Sequence, residues 1–135
     1  MSAAGLIATR VFRAMLRAAD GRPSCGDRDA MLGVRVSIDV KVDPGGRVQP
    51  ARGGMSVTPD DPVQLPPHFR PIALGGLGKL PVFGIELSLL GAELSYRPDP
   101  KKPLRHGFVE PAVAMRLVDY QAALAATAAA WQELV

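Results

Sequence analysis

The chain has one cysteine, two histidines and few aromatic residues, 5% of its 135 positions. Each scarcity removes a class of function. With Cys25 alone, neither an intramolecular disulfide nor a cysteine-based metal cluster can form, and a reducing compartment is tolerated. Cys25 lies in the turn-like Pro23-Ser24-Cys25-Gly26-Asp27 and reads as an incidental loop thiol. His68 and His106 have no partner at helical i, i+4 spacing, so no metal site is expected. Two histidines also leave little material for a serine triad, and neither a Gly-x-Ser-x-Gly elbow nor a Gly-x-x-x-x-Gly-Lys-Ser/Thr phosphate loop is present. No apolar run is long enough to span a membrane. Arg10, Arg13 and Arg17 interrupt the N-terminal apolar stretch, so no cleaved secretory signal is expected.

What is present is globular material: 47% hydrophobic and 21% charged residues in a length that suits one domain, residues 1–135. The net charge of +3 is not gathered into a stripe. Residues 1–70 hold ten Lys/Arg against seven Asp/Glu, and residues 71–135 hold six of each. With few aromatics for base stacking, a nucleic-acid partner is not expected.

The element pattern is mixed. Thr9 to Ala14 reads as a strand around Val11 and Phe12. From Val34 to Val42, strict alternation of valine and isoleucine with Arg35, Ser37, Asp39 and Lys41 predicts a half-buried strand. Pro44 to Gly84 contains eight of the 13 prolines and eight of the 14 glycines, which predicts a long ordered loop region with short extended pieces. Val82–Leu90, Ala92–Arg97 and His106–Glu110 read as strands, with a proline-rich turn at Pro98–Pro103. Leu117, Tyr120, Leu124, Ala128, Trp131 and Val135 recur at three- and four-residue steps and predict a C-terminal helix, with Asp119 as its N-cap. The fold class is therefore α+β, with one C-terminal helix.

Three pieces carry candidate chemistry. Arg13 is a cation inside an apolar stretch: either an edge-strand surface residue or a buried group that needs a partner. Gly53-Gly54-Met55-Ser56-Val57 permits close backbone approach and offers a small hydroxyl at a strand start, or it is an ordinary turn. In His106-Gly107-Phe108-Val109-Glu110-Pro111, alternation puts His106, Phe108 and Glu110 on one face, with Glu110 held extended before proline. Gly75-Gly76-Leu77-Gly78-Lys79 is read as a turn, not a phosphate cradle.

In this order the pieces resemble the arginine–serine–glutamate pattern of the ADP-ribosyltransferase superfamily. Within it they are similar to the small ADP-ribosyltransferase-like effector toxins of the type VI secretion system. Those combine a Tyr-Arg-Ala strand, a Gly-Gly-x-Ser-Val segment, and a His-x-x-x-x-Pro-Ala-x-x-Met segment before a terminal helix that ends in tryptophan. This chain has Phe12-Arg13-Ala14, Gly53 to Val57, and His106 through Pro111-Ala112 to Met115.

The resemblance implies a split, antiparallel-rich sheet and NAD as substrate. It implies Glu110, Ser56 and Arg13 as catalytic residues, and Arg13, Gly53, Gly54, Ser56 and His106 as NAD-binding residues. It also implies an immunity or antitoxin protein as partner and action in a bacterial cytoplasm, of the producing or the target cell. The superfamily's Ser-Thr-Ser triplet is Met55-Ser56-Val57 here, and its acidic or glutamine position two before the glutamate is Phe108. Transfer, NAD hydrolysis and a binding-only module of the same fold all stay open. For the last, the proline- and apolar-rich Leu65-Pro66-Pro67-His68-Phe69 is expected as an exposed protein-binding loop.

Overall fold

A computed structural model describes residues 8–134. Eight strands and one helix follow in the order β1 (Arg10–Ala14), β2 (Arg47–Val48), β3 (Met55–Pro59), β4 (Val82–Glu86), β5 (Leu94–Pro98), β6 (Gly107–Pro111), β7 (Met115–Arg116), α1 (Leu117–Ala126) and β8 (Gln132–Glu133). Six strands form one antiparallel sheet in the order β5-β6-β3-β1-β4-β8, and β2 pairs with β7 in a separate ribbon. The architecture is thus α+β, an antiparallel sheet with one C-terminal helix.

Register decides what each face carries. Val11 opposes Pro59, Phe12 opposes Thr58, Met55 opposes Val109 and Ser56 opposes Phe108. Because strand side chains alternate, Val11, Arg13, Met15, Met55, Val57 and Val109 share one face, and Phe12, Ala14, Ser56, Thr58, Phe108 and Glu110 share the other. On the first face the valines and methionines join Phe83, Ile85, Tyr120, Leu124 and Trp131 in the main core. On the second, Phe12, Ala14, Leu65 and Val82 form a smaller cluster. Gly84 belongs to this arrangement: a Cβ there would lie 2.8 Å from the Phe12 ring, so only glycine lets that ring cross β4.

The sheet divides along β3. Its Met55–Val57 half bonds to β6, and its Thr58–Pro59 half bonds to β1. Tyr120 from α1 ties the β6 side together, accepting from Met55 N and donating to the Val109 carbonyl.

Several expectations are corrected. Val34–Val42 is not a strand. Asp39 accepts from the Arg35 backbone N–H and guanidinium, and the chain turns between them, with Ser37 at φ 67°. Val34 and Val40 are buried, but Val36 is 46% exposed and Ile38 70%, so the alternation marks a turn anchored at both ends. The strand expected over Val82–Leu90 stops at Glu86 and continues as a 3-10 turn, Leu87–Leu89. Asp119 is not the N-cap. Arg116 holds that position, and Asp119 lies in the first turn, 3.0 Å from Arg116 Nε. The helix ends at Ala126, and Thr127 redirects the chain by bonding back to Leu124 and accepting from Trp131 Nε1, so Trp131 packs from extended backbone. Leu6, Ile7 and Val135 lie outside the described residues.

Candidate functional site

Arg13 sits where the sheet divides. β1 is flanked by β3 and β4, so the residue is not on an edge strand. Its Nη1 donates to the Ser56 carbonyl (2.9 Å), a group on the half of β3 that β1 no longer pairs with, and its Nε and Nη2 donate to the Met31 carbonyl (3.2 and 3.0 Å). Burial pulls the Arg13 pKa below the usual arginine value, with Asp39 and Asp29 acting against that pull. A guanidinium has five N–H donors. Three are engaged here, which leaves one on each terminal nitrogen.

Beside Arg13 lies a cleft of about 260 Å³. Phe12, Leu65 and Phe69 form its apolar wall, and Ser56, His106, Lys102, Asp29, Arg35 and Asp39 give its polar side. Arg35 is paired with Asp39 at 3.1 Å, whereas Arg13 and Lys102 have no carboxylate partner among the described residues. A second, more open depression of about 600 Å³ is lined by Ser37 to Lys41, Ala51 to Gly53 and Phe108. The two share Asp39. The directly opposed Ser56 and Phe108 contribute one residue to each. The two depressions therefore adjoin at Asp39 and at the Ser56–Phe108 pair.

Of the six candidate residues, Arg13, Ser56 and His106 line the first depression and Gly53 lines the second. Gly54 lines neither. It is buried, and a Cβ on it would fall 2.9 Å from the Val109 carbonyl and 3.3 Å from Glu110 Cβ. Glu110 also lines neither, yet it does not face bulk solvent: it is 6% exposed. Its Oε1 accepts from Arg97 Nε (2.8 Å) and from Ala51 N (3.0 Å), and among the described residues Oε2 has no protein donor. Arg97 also lies over the Phe108 ring, 4.9 Å from its centroid. A paired buried carboxylate of this kind is held rigidly, and removing either partner leaves an uncompensated charge.

Sequence reasoning missed Asp99, Lys102, Arg97, Asp29, Arg35 and Asp39. The first three lie on the β5–β6 hairpin, and Arg97 and Asp99 were recoverable. Once Ala92–Arg97 and His106–Glu110 are read as a hairpin, Arg97 falls opposite Phe108, and Asp99 falls beside His106, Nδ1 to Oδ2 2.8 Å. The other three lay in the segment read as a regular strand or just before it. The segment expected as an exposed docking loop behaves differently: Leu65 is buried in the smaller cluster and lines the cleft with Pro66 and Phe69, while Pro67 and His68 are exposed outside it. The Gly75–Gly78 stretch is a turn, and a Cβ on Gly76 or Gly78 would strike the Arg70 or Phe69 carbonyl.

No protein-family model, curated protein or solved structure matches the chain. Among the described residues there is no helix long and apolar enough to cross a membrane, and no group of three or more His, Cys, Asp or Glu that could hold a metal ion.

Proposed function

We propose that the chain is a toxin-type, ADP-ribosyltransferase-like domain that binds NAD, cleaves its nicotinamide–ribose bond and transfers ADP-ribose to an acceptor. One observation supports this reading above others. Arg13, Ser56 and Glu110 come from β1, β3 and β6, consecutive neighbours in the sheet, and Arg13 and Ser56 line the first of two adjoining depressions that an elongated ligand would cross. A cleft of about 260 Å³ is small beside the roughly 300–1,000 Å³ of ordinary ligand pockets. It suits one half of a dinucleotide, and the adjoining depression suits the other.

The chemistry follows from the groups. When the nicotinamide–ribose bond breaks, its electron pair leaves with neutral nicotinamide and positive charge develops on the ribose, as in glycoside hydrolysis. A lone pair on the acceptor or on water then forms the new bond to the anomeric carbon, and its proton is lost. Glu110 Oε2, with Oε1 fixed by Arg97 and Ala51 N, accepts from the ribose 2′-hydroxyl and steadies that charge. The two remaining Arg13 donors and Lys102 meet pyrophosphate oxygens. Ser56 positions the ribose. The natural partner in this reading is an immunity or antitoxin protein in a bacterial cytoplasm.

Isothermal titration with NAD, alongside nicotinamide release, tests the reading. The expected result is binding plus release by the wild type, with Glu110→Gln keeping the fold and losing release by about a hundredfold or more. No binding at millimolar NAD would discard it. One observation favours a second reading, a non-catalytic module of the same fold that binds an immunity, antitoxin or secretion-system protein. The Arg97–Glu110 pair holds the carboxylate beside the groove and not within it.

A further inference from the structure

The hairpin turn between β5 and β6 is a built unit. Asp99 N donates to the His106 carbonyl (3.0 Å), Lys102 N to the Asp99 carbonyl (3.1 Å) and His106 N to the Lys102 carbonyl (3.0 Å). Asp99 Oδ1 accepts from Lys101 N at 2.9 Å, and its Oδ2 lies 2.8 Å from His106 Nδ1. The His106 ring is gripped a second time by Phe108, edge-on at a centroid distance of 4.8 Å. His106 also lines the cleft with Ser56, its diagonal neighbour across β3 and β6. The imidazole therefore has one nitrogen anchored, one flank packed, and Nε2 without a protein partner among the described residues.

An ionised carboxylate only accepts hydrogen bonds, so in neutral His106 the proton sits on Nδ1 and the lone pair on Nε2. The Asp99 carboxyl stays below the usual carboxylate range, first through its bond to His106 and then through Lys101 N, and is ionised at neutral pH. Glu110 serves a different purpose: its Oε1 is taken by Arg97 and Ala51 N, and its Oε2 is assigned to the ribose 2′-hydroxyl, which leaves the attacking proton to another group.

We propose that His106, oriented by Asp99, is the general base of the cleft, taking the proton from the attacking hydroxyl or water. This deepens the NAD reading and rests on it. The balance is complete. The oxygen lone pair forms the bond to the anomeric carbon, the bond to nicotinamide breaks with its electrons on nicotinamide, and the O–H proton passes to Nε2. The resulting imidazolium is paired with Asp99 and releases its proton to solvent, so water as acceptor gives ADP-ribose, nicotinamide and one proton. Asp99 is bonded to the ring, and the charged groups that line the cleft with it are Lys102 from its own hairpin, Arg13 from β1, and Asp29, Arg35 and Asp39 from the segment before β2. His106 is the catalytic residue of the pair and Asp99 the positioning residue.

The test uses the full chain with NAD as probe, in wild type, His106→Gln, His106→Ala and Asp99→Asn, each first shown to be folded by circular dichroism. General base catalysis is worth about 10²–10⁴-fold. Both His106 variants and Asp99→Asn are therefore expected to lose at least about a hundredfold in kcat while KM for NAD stays within about threefold. Exogenous imidazole is expected to restore part of the rate to His106→Ala and none to Asp99→Asn. Nitrogen-15 NMR of wild-type His106 is expected to show the proton on Nδ1, and Asp99→Asn to disturb that tautomer, since an amide can also donate. An active wild type whose His106 and Asp99 variants keep kcat overturns the dyad and leaves the NAD reading standing. So does a proton found on Nε2, or an equal loss of binding and rate with no rescue by imidazole. A wild type that neither binds NAD nor releases nicotinamide overturns both.

Discussion

On the face of the sheet under α1, Val11, Met15, Met55, Val57 and Val109 are buried and pack on Tyr120 and Leu124. On the opposite face the intervening positions of the same strands are Phe12, Ala14, Ser56, Thr58, Phe108 and Glu110, and only Phe12 and Ala14 join an apolar cluster. One face removes continuous apolar surface from water. The other leaves a groove in which polar groups are held by specific bonds and several keep a donor or acceptor unused. Dry packing favours one arrangement of large side chains, whereas a binding face needs groups that are fixed yet not saturated. The helix face supplies the rigidity and the groove face uses it. Tyr120 is the clearest link, because its two bonds go to Met55 N and the Val109 carbonyl, backbone groups next to Ser56 and Glu110.

The most damaging way to break this division is therefore Tyr120→Phe. It keeps the ring and the packing but leaves a buried N–H and a buried carbonyl without the phenol that served both. The expected cost is about 1–3 kcal/mol, read as a lower urea midpoint. It is also expected to weaken NAD binding, although Tyr120 lines neither depression. Lost stability with unchanged affinity would show that the two faces are independent.

The same comparison predicts a stability profile with two limbs. Tyr96 and Tyr120 both lean on the helix side, and burial pushes Tyr96 up to about 12 and Tyr120 higher still. A raised folded pKa gives stabilisation that is complete below the free tyrosine value of about 10. It is lost as pH rises through and beyond that value. Asp99, on the groove side, is lowered, chiefly by His106. Its contribution is present above the free aspartate value of about 4 and is lost as pH falls below it. Tyr96→Phe is expected to flatten the alkaline limb of the urea midpoint between about pH 10 and 12 and to leave the acid limb alone; Asp99→Asn is expected to do the reverse. Both substitutions acting on one limb would remove the distinction.

The unequal legibility of the two faces has a physical cause. The strand bearing Val11 and Phe12, the Phe108–Glu110 face and the C-terminal helix were readable, because short-range alternation or periodicity coincides with burial there. The Ser56 strand was not, since Met55–Pro59 lies in the Gly/Pro-rich stretch read as loop and yet is a central strand between β6 and β1. The alternation rule failed at Val34–Val42. Asp39 reaches back to the Arg35 backbone and guanidinium, and this side-chain bond competes with a ladder. Alternation reports which residues are apolar, not whether a local carboxylate bends the chain. Arg13 was ambiguous for a related reason. Its partners are two backbone carbonyls 18 and 43 residues away, Met31 and Ser56, and carbonyls leave no mark in a sequence. Asp99 and His106 are the reverse case: the pairing was missed, although a hairpin drawn from Ala92–Arg97 and His106–Glu110 brings the two side by side.

The sharpest form of the comparison is also the smallest change, Ser56→Ala. The Ser56 backbone carbonyl carries the Arg13 bond, and among the described residues its hydroxyl has no protein partner. Removing it therefore orphans nothing, unlike Tyr120→Phe, and the expected change in stability is within about 0.5 kcal/mol. Alanine also keeps the Cβ that faces the cleft, so the wall of the groove is preserved. If the unused hydroxyl is there for a ligand, NAD affinity should fall by about five- to tenfold, the worth of one ordinary hydrogen bond, while the urea midpoint stays put. A Ser56→Ala protein that binds NAD as well as the wild type would mean that the ligand is held by Arg13, Lys102 and Glu110 without Ser56. A protein that loses stability instead would place Ser56 with the structural residues of the opposite face.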